Sequence, residues 1–247
     1  MEISQSTFFI TSSCGILEGV KPRRDGQHPD TKLLCRRTAF ATAVLLLVLL
    51  PAPVFGHPHV FIDARVQLEF NDTHLKGFWA EWEFDRLFTS MIVLDFRVPR
   101  EGEFSREQIR AIEQGAFSNL QYYDYFVFVV HDGKRIPTRQ VEGFTAFMRN
   151  GRIVYRFFVP YEVELSSEYE SLRIQMYDHT FFTDIAFHET SPVQSTNDAG
   201  IEKRFEIRRD RNRRIEFDPT DTTGAREDVQ YSGVTYPYEV QLQLRRP

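Results

Sequence analysis

Ile62-Asp63-Ala64-Arg65-Val66-Gln67-Leu68-Glu69-Phe70 alternates apolar and polar side chains at every step. A period of two is that of a β-strand with one face buried. Asn71-Asp72-Thr73 supplies turn residues, and the pattern resumes with Phe78, Ala80, Trp82 and Phe84 against Glu81 and Glu83. Residues 58–84 therefore read as a hairpin.

Downstream the period changes. A short helix is expected from about Asp85 to Asp95. Ser105-Arg106-Glu107-Gln108 then has the form of a capping box, followed at helical spacing by Ile109, Ile112, Ala116 and Leu120. Strands return at Tyr125 to Val130, Phe144 to Met148, Arg152 to Val159 and Leu172 to Tyr177. Asp132-Gly133 and Asn150-Gly151 mark hairpin turns. Ser191 to Gly200 reads as a loop. Phe205-Glu206-Ile207 and Ile215-Glu216-Phe217 flank a basic turn, and Val234 to Leu244 closes the chain. Trp79, Trp82 and the many phenylalanines are expected in the core. No repeat is visible. The expectation is a mainly β fold, an antiparallel β-sandwich with a helical insertion at about residues 85–122.

Upstream, Ala39 to Leu50 is almost wholly apolar, follows Lys32, Arg36 and Arg37, and ends in Pro51-Ala52-Pro53-Val54-Phe55-Gly56. That is the layout of a secretory signal peptide with an extended N-terminal region, and it is shorter than the roughly 20 apolar residues of a membrane span. Cleavage after Gly56 leaves residues 57–247 as a single exported domain with no stable membrane anchor. Both cysteines, Cys14 and Cys35, fall in the leader, so disulfides, thiolate metal sites and cysteine nucleophiles are excluded from the mature part. The leader takes away four acids and six bases, and the remaining 31 acidic and 24 basic residues give a formal charge of −7. An acidic domain of this kind is a poor nucleic-acid binder.

The mature chain would open His57-Pro58-His59. A free amine and two imidazoles stand within three residues, with His57, His59 and Asp63 on the polar side of an extended segment. Imidazole nitrogen is a common metal ligand, and Pro58 has no N–H to give to a square-planar chelate. The alternative is two solvated histidines at a frayed terminus. His179 and His188, with Asp178 and Asp184 close by in sequence, form a second candidate cluster, whereas His74 and His131 lie in turns. The run Arg208-Arg209-Asp210-Arg211-Asn212-Arg213-Arg214 suits either a solvated tip or an anionic partner. No G-x-S-x-G, H-E-x-x-H or phosphate-binding loop is present, so enzymatic chemistry is not expected.

His57-Pro58-His59-Val60-Phe61-Ile62-Asp63 after a signal peptide resembles the start of the domain of unknown function 1007 family. Trp82-Glu83-Phe84-Asp85 and Tyr177-Asp178-His179-Thr180-Phe181-Phe182 extend the resemblance over most of residues 57–190. The resemblance implies a periplasmic component of a transition-metal transport system (nickel, cobalt or zinc) acting with a membrane metal permease. His57, His59, Asp85 and Asp178 occupy its matched metal positions; His179 stands where the family usually has proline. The candidate metal set is thus His57, His59, Asp85, Asp178, His179 and His188. Such proteins often carry a calcium-type loop between the two helices. Here Arg97 to Gln108 keeps Gly102, Phe104 and Ser105, but Arg97, Pro99 and Gln108 replace ligands. Two other classes stay open: an N-terminal-histidine copper enzyme, and a metal-free interaction sandwich.

Overall fold

A computed structural model describes residues 59–72, 74–218 and 233–247; the signal-peptide reading and His57 lie outside these. Strand β1 (Val60–Phe70) pairs antiparallel with β2 (His74–Phe84), Ile62 facing Phe84 and Leu68 facing Phe78. The hairpin expected from the alternation is present. Its even-numbered face, Ile62, Ala64, Val66, Leu68 and Phe70, is buried. On β2 the register slips near Gly77, where φ is +147° and an added Cβ would meet the Val159 carbonyl oxygen at 2.3 Å. Only glycine fits that close approach.

Helix α1 (Arg86–Phe96) is capped by the Asp85 carboxylate, which accepts from the N–H groups of Leu87 and Phe88. Phe88 stacks on Phe84 at 4.3 Å, and Thr89 Oγ1 accepts from the N–H of Ile153, tying the helix to the sheet. Its other side leaves Leu87, Met91 and Leu94 exposed.

Helix α2 (Arg106–Ile112) begins with the expected capping box. It loosens into a π segment, Glu113–Phe117, and a 3-10 segment, Ser118–Phe126, interrupted by left-handed Asp124 and Tyr125. The strand expected from Tyr125 therefore starts at Val127. Gly115 lets this segment pass Phe96, whose ring lies 2.8 Å from where a Cβ would stand.

The remaining strands are β3 (Val127–His131), β4 (Lys134–Pro137), β5 (Glu142–Arg149), β6 (Arg152–Glu164), β7 (Glu170–Met176), β8 (Thr183–Phe187), β9 (Val193–Thr196), β10 (Glu202–Arg209), β11 (Ile215–Phe217), β12 (Gly233–Thr235) and β13 (Tyr238–Arg245). One sheet runs β5-β6-β2-β1-β8, with β9 also on β1; the other runs β10-β13-β7-β3-β4; β11 and β12 form a separate ribbon. The two large sheets share one core, in which the Trp82 indole N–H points at the Met176 sulfur, 3.3 Å away. The fold is mainly β and sandwich-like, with a short helical segment.

Several expectations are corrected by tertiary pairing. β8 and β9, the second inside the expected loop, are short, and both run parallel to β1. Across the basic turn, β10 pairs with β13 and β11 with β12, so the two arms do not form one hairpin. The closing run is two strands, because Pro237 between them lacks the N–H a ladder needs. Trp79 is not in the core: it faces outward, donates to Glu69 at 2.8 Å, and lies under the Arg156 guanidinium at 3.9 Å. The outer face around it is charged, with Arg65 on Glu83, Arg152 on Asp63 and Arg149 on Glu81.

The loop between α1 and α2 is closed by Gln108. Its Oε1 accepts from the Ser105 N–H at 2.9 Å and its Nε2 donates to the Arg97 carbonyl at 3.0 Å, so one amide spans the turn. Arg97 itself is left-handed, with φ of 51°. Gln108→Ala is expected to lower stability by about 1 kcal/mol, the usual worth of a capping interaction. Denaturant midpoints measure it, and millimolar calcium should leave the melting temperature of the unsubstituted protein unchanged, since the amide occupies the bridging position.

Candidate functional site

The first residues of β1 are held from two sides. Pairing with β2 brings Asp85 level with Phe61: the Phe61 N–H donates to Asp85 Oδ2 at 2.9 Å, and the Asp85 N–H donates to the Phe61 carbonyl at 3.0 Å. With the two helix N–H groups on Oδ1 at 2.7 and 2.9 Å, this carboxylate joins the hairpin to α1.

On the other side, the turn after β7 leads into β8. Asp178 is buried and accepts from the Thr180 N–H and hydroxyl, each at 2.8 Å, and from the Thr183 N–H at 3.1 Å. Thr183 is the register partner of Val60, and the His59 N–H donates to the Phe182 carbonyl at 2.9 Å. The His59 ring packs 4.8 Å from that of Phe182. Three of the candidate positions, His59, Asp85 and Asp178, thus meet around one short segment. A carboxylate offers about four lone-pair positions, and three hydrogen bonds occupy most of them in each of these aspartates. Their shown work is to fix backbone.

The other two candidates are elsewhere. His188 donates its N–H to the Ala64 carbonyl at the far end of β8, roughly 16 Å from Thr183 at the rise of a strand. Its Nδ1 receives the N–H groups of Thr190 and Ser191 at 3.4 and 3.3 Å. His179 Nδ1 lies 3.2 Å from Nη2 of Arg213, which donates to it, and a guanidinium is an unfavourable neighbour for a metal cation. Asp184 is half-buried in β8, and burial raises its carboxyl above the usual range, opposed by the charge of Arg209.

Among the described residues no three His, Cys, Asp or Glu side chains gather closely enough to hold a metal ion. His57, the remaining candidate, lies outside the described residues.

Two features escaped the sequence reading. His131, expected in a surface turn, bridges the sheets, with Nδ1 3.0 Å from the Tyr161 hydroxyl and Nε2 3.4 Å from Glu170. Arg135, Tyr177 and Arg213 come together from three separate segments. No local spacing announces either.

Among the described residues no helix is long and apolar enough to cross a membrane. The chain is 32% identical over 102 residues to an uncharacterised 15.5 kDa protein in the trpE 3′ region of Spirochaeta aurantia, covering 41% of this chain and 72% of that protein. It is 21% identical over 151 residues to an uncharacterised protein of Haemophilus influenzae, covering 61% of this chain and 72% of that one. The sequence profile described as Protein of unknown function (DUF1007) matches residues 42–220, and by a match of that extent the chain belongs to the DUF1007 family.

Proposed function

We propose that this protein is a periplasmic metal-binding accessory, or substrate-binding component, of a transport system for a divalent transition metal such as nickel, cobalt or zinc. It would pass the ion to or from a membrane permease. The observation that carries the reading is the meeting of His59, Asp85 and Asp178 around the first residues of β1. That segment directly follows His57, so an amine and two imidazoles freed by leader cleavage would sit on a strand start pinned by Asp85 and Asp178. In this reading His57 and His59 are the donors, and the two aspartates position them. The bound ion is cargo.

Leader removal is the first requirement. Intact-mass spectrometry of the exported protein is expected to give a chain beginning at His57, since Val54 and Gly56 meet the small-residue rule of the cleavage site. A mass retaining residues 39–56 would remove the free amine. Calorimetry with nickel, cobalt, zinc and copper then tests the proposal itself. Tight binding that weakens in acid is expected, because amine and imidazole must shed protons to ligate. Placing one extra residue before His57 should weaken it by displacing the amine. Absence of binding to all four ions would leave an interaction sandwich, and turnover with bound copper would indicate an enzyme.

A further inference from the structure

Helix α1 is apolar on two sides. Thr89, Ile92 and Val93 are buried on its inner side, where Phe88 stacks on Phe84. Its outer side carries Leu87, Met91 and Leu94, which are 67%, 52% and 71% exposed and stand at i, i+4 and i+7 along one stripe. A helix that is apolar all round is ordinarily covered all round. Among the described residues no other element sets three exposed large apolar side chains on one face.

The charges of α1 are a second observation. Its eleven residues include only Arg86 and Asp95 as charged groups. Both are exposed, and neither makes an ion pair among the described residues. Each also stands at the wrong end for the dipole of its own helix, the base in the first turn and the acid in the last. An antiparallel neighbour reverses that mismatch. Positions 86 and 95, 87 and 94, and 90 and 91 are symmetric about one midpoint, so the stripe is complementary to a second copy of itself turned end over end. Leu87 then meets Leu94 of the second copy. At 100° per residue Arg86 and Asp95 lie on opposite rims of the stripe. A crossing near −50°, the commonest between helices of globular proteins, swings each Arg86 over the last turn of the other helix, beside its Asp95. A helix lying on a membrane surface would instead be rich in Lys and Arg, and α1 has one base.

We propose that the Leu87, Met91 and Leu94 face of α1 is a self-association surface, on which a second copy of this chain docks antiparallel about a two-fold axis between Ser90 and Met91. Such a contact is isologous, so it closes at the dimer. Three apolar side chains and two rim ion pairs make an interface smaller than the roughly 800 Å² a side of a stable complex. The dimer is therefore weak and forms as concentration rises. It does not depend on metal binding at the start of β1.

Sedimentation equilibrium of the purified protein from about 1 μM to 1 mM is expected to show a reversible monomer–dimer equilibrium. Met91→Glu sets two like charges beside the axis and should weaken the dimer by about tenfold or more. Its melting temperature should hold, because Met91 is exposed and glutamate is an equally good helix former. Arg86→Glu and Asp95→Arg should each weaken the dimer by about threefold, and by more at low salt. At concentrations where the protein is monomeric these two variants should keep or raise the melting temperature, since each new charge suits the helix dipole. The double variant Arg86→Glu/Asp95→Arg should regain the original affinity, because both cross pairs return with their signs exchanged. Protein still monomeric at about 1 mM, a dimer unaffected by Met91→Glu, or no recovery in the double variant would overturn the proposal. A monomer that floats with phospholipid vesicles, and no longer does so as Met91→Glu, would also overturn it by assigning the face to a lipid surface.

Discussion

Replacing His57 and His59 together by alanine is expected to weaken nickel, cobalt or zinc binding by about a hundredfold or more, at least ~2.8 kcal/mol. The pair supplies two of the three nitrogen donors the proposal allows, and a carboxylate alone does not hold such ions tightly. The fold should be indifferent. His59 is held at the strand start through its backbone N–H to Phe182, a bond that alanine also makes, and the core begins only at Ile62. Calorimetry and a denaturation curve on the same sample separate the two effects. Unchanged affinity in the double variant would end the proposal, and lost affinity together with lost cooperativity of unfolding would show that the histidines are structural.

The second large effect belongs to Asp178. Asp178→Ala removes an acceptor shared by the Thr180 N–H, the Thr180 hydroxyl and the Thr183 N–H. Thr183 is buried, so its N–H is left unsatisfied away from water. A loss of about 3 kcal/mol in unfolding free energy is expected, since removal of one partner leaves the other with its full desolvation cost. Asp178→Asn should recover only part, because its NH2 cannot accept a hydrogen bond from the second side. Metal affinity of the folded fraction should fall by much less than in the histidine variant. The opposite pattern, stability kept and affinity lost, would make Asp178 a ligand rather than a positioning residue.

Strands whose pattern is complete within their own residues were readable in the sequence. β1 and β2 each bury one face against a shared core, so the alternation of Ile62 to Phe70 and Phe78 to Phe84 is the imprint of that burial. β8 left no such imprint: five residues with Asp184 among them are too few to show a period, and its partner is distant in sequence. Trp79 shows the limit of composition, since an aromatic ring under an arginine on a charged face resembles a core residue when only its type is known. The His57-Pro58-His59 opening stands out in the sequence because its nitrogen donors are contiguous. Asp85 and Asp178 were flagged by resemblance, but their hydrogen bonds to Phe61 and Thr183 depend on strand neighbours that no spacing reveals. The Arg135 and Arg213 pair needs β4, the turn after β7 and the segment before β11 at once.

The parallel contacts of β1 also bear on how the molecule reaches its native state. Val60 pairs with Thr183 and Glu69 with Thr196, so about 120 residues of chain must be available before the flank of β1 is covered. Pairings this remote raise contact order and slow folding toward the millisecond-to-second range. During that interval the open side of β1 offers a row of unpaired N–H and C=O groups to any neighbouring chain. A nascent or truncated polypeptide ending before Thr183 should therefore aggregate rather than form a smaller stable domain. Assistance that keeps early segments apart would act on the first strand made and the last one closed.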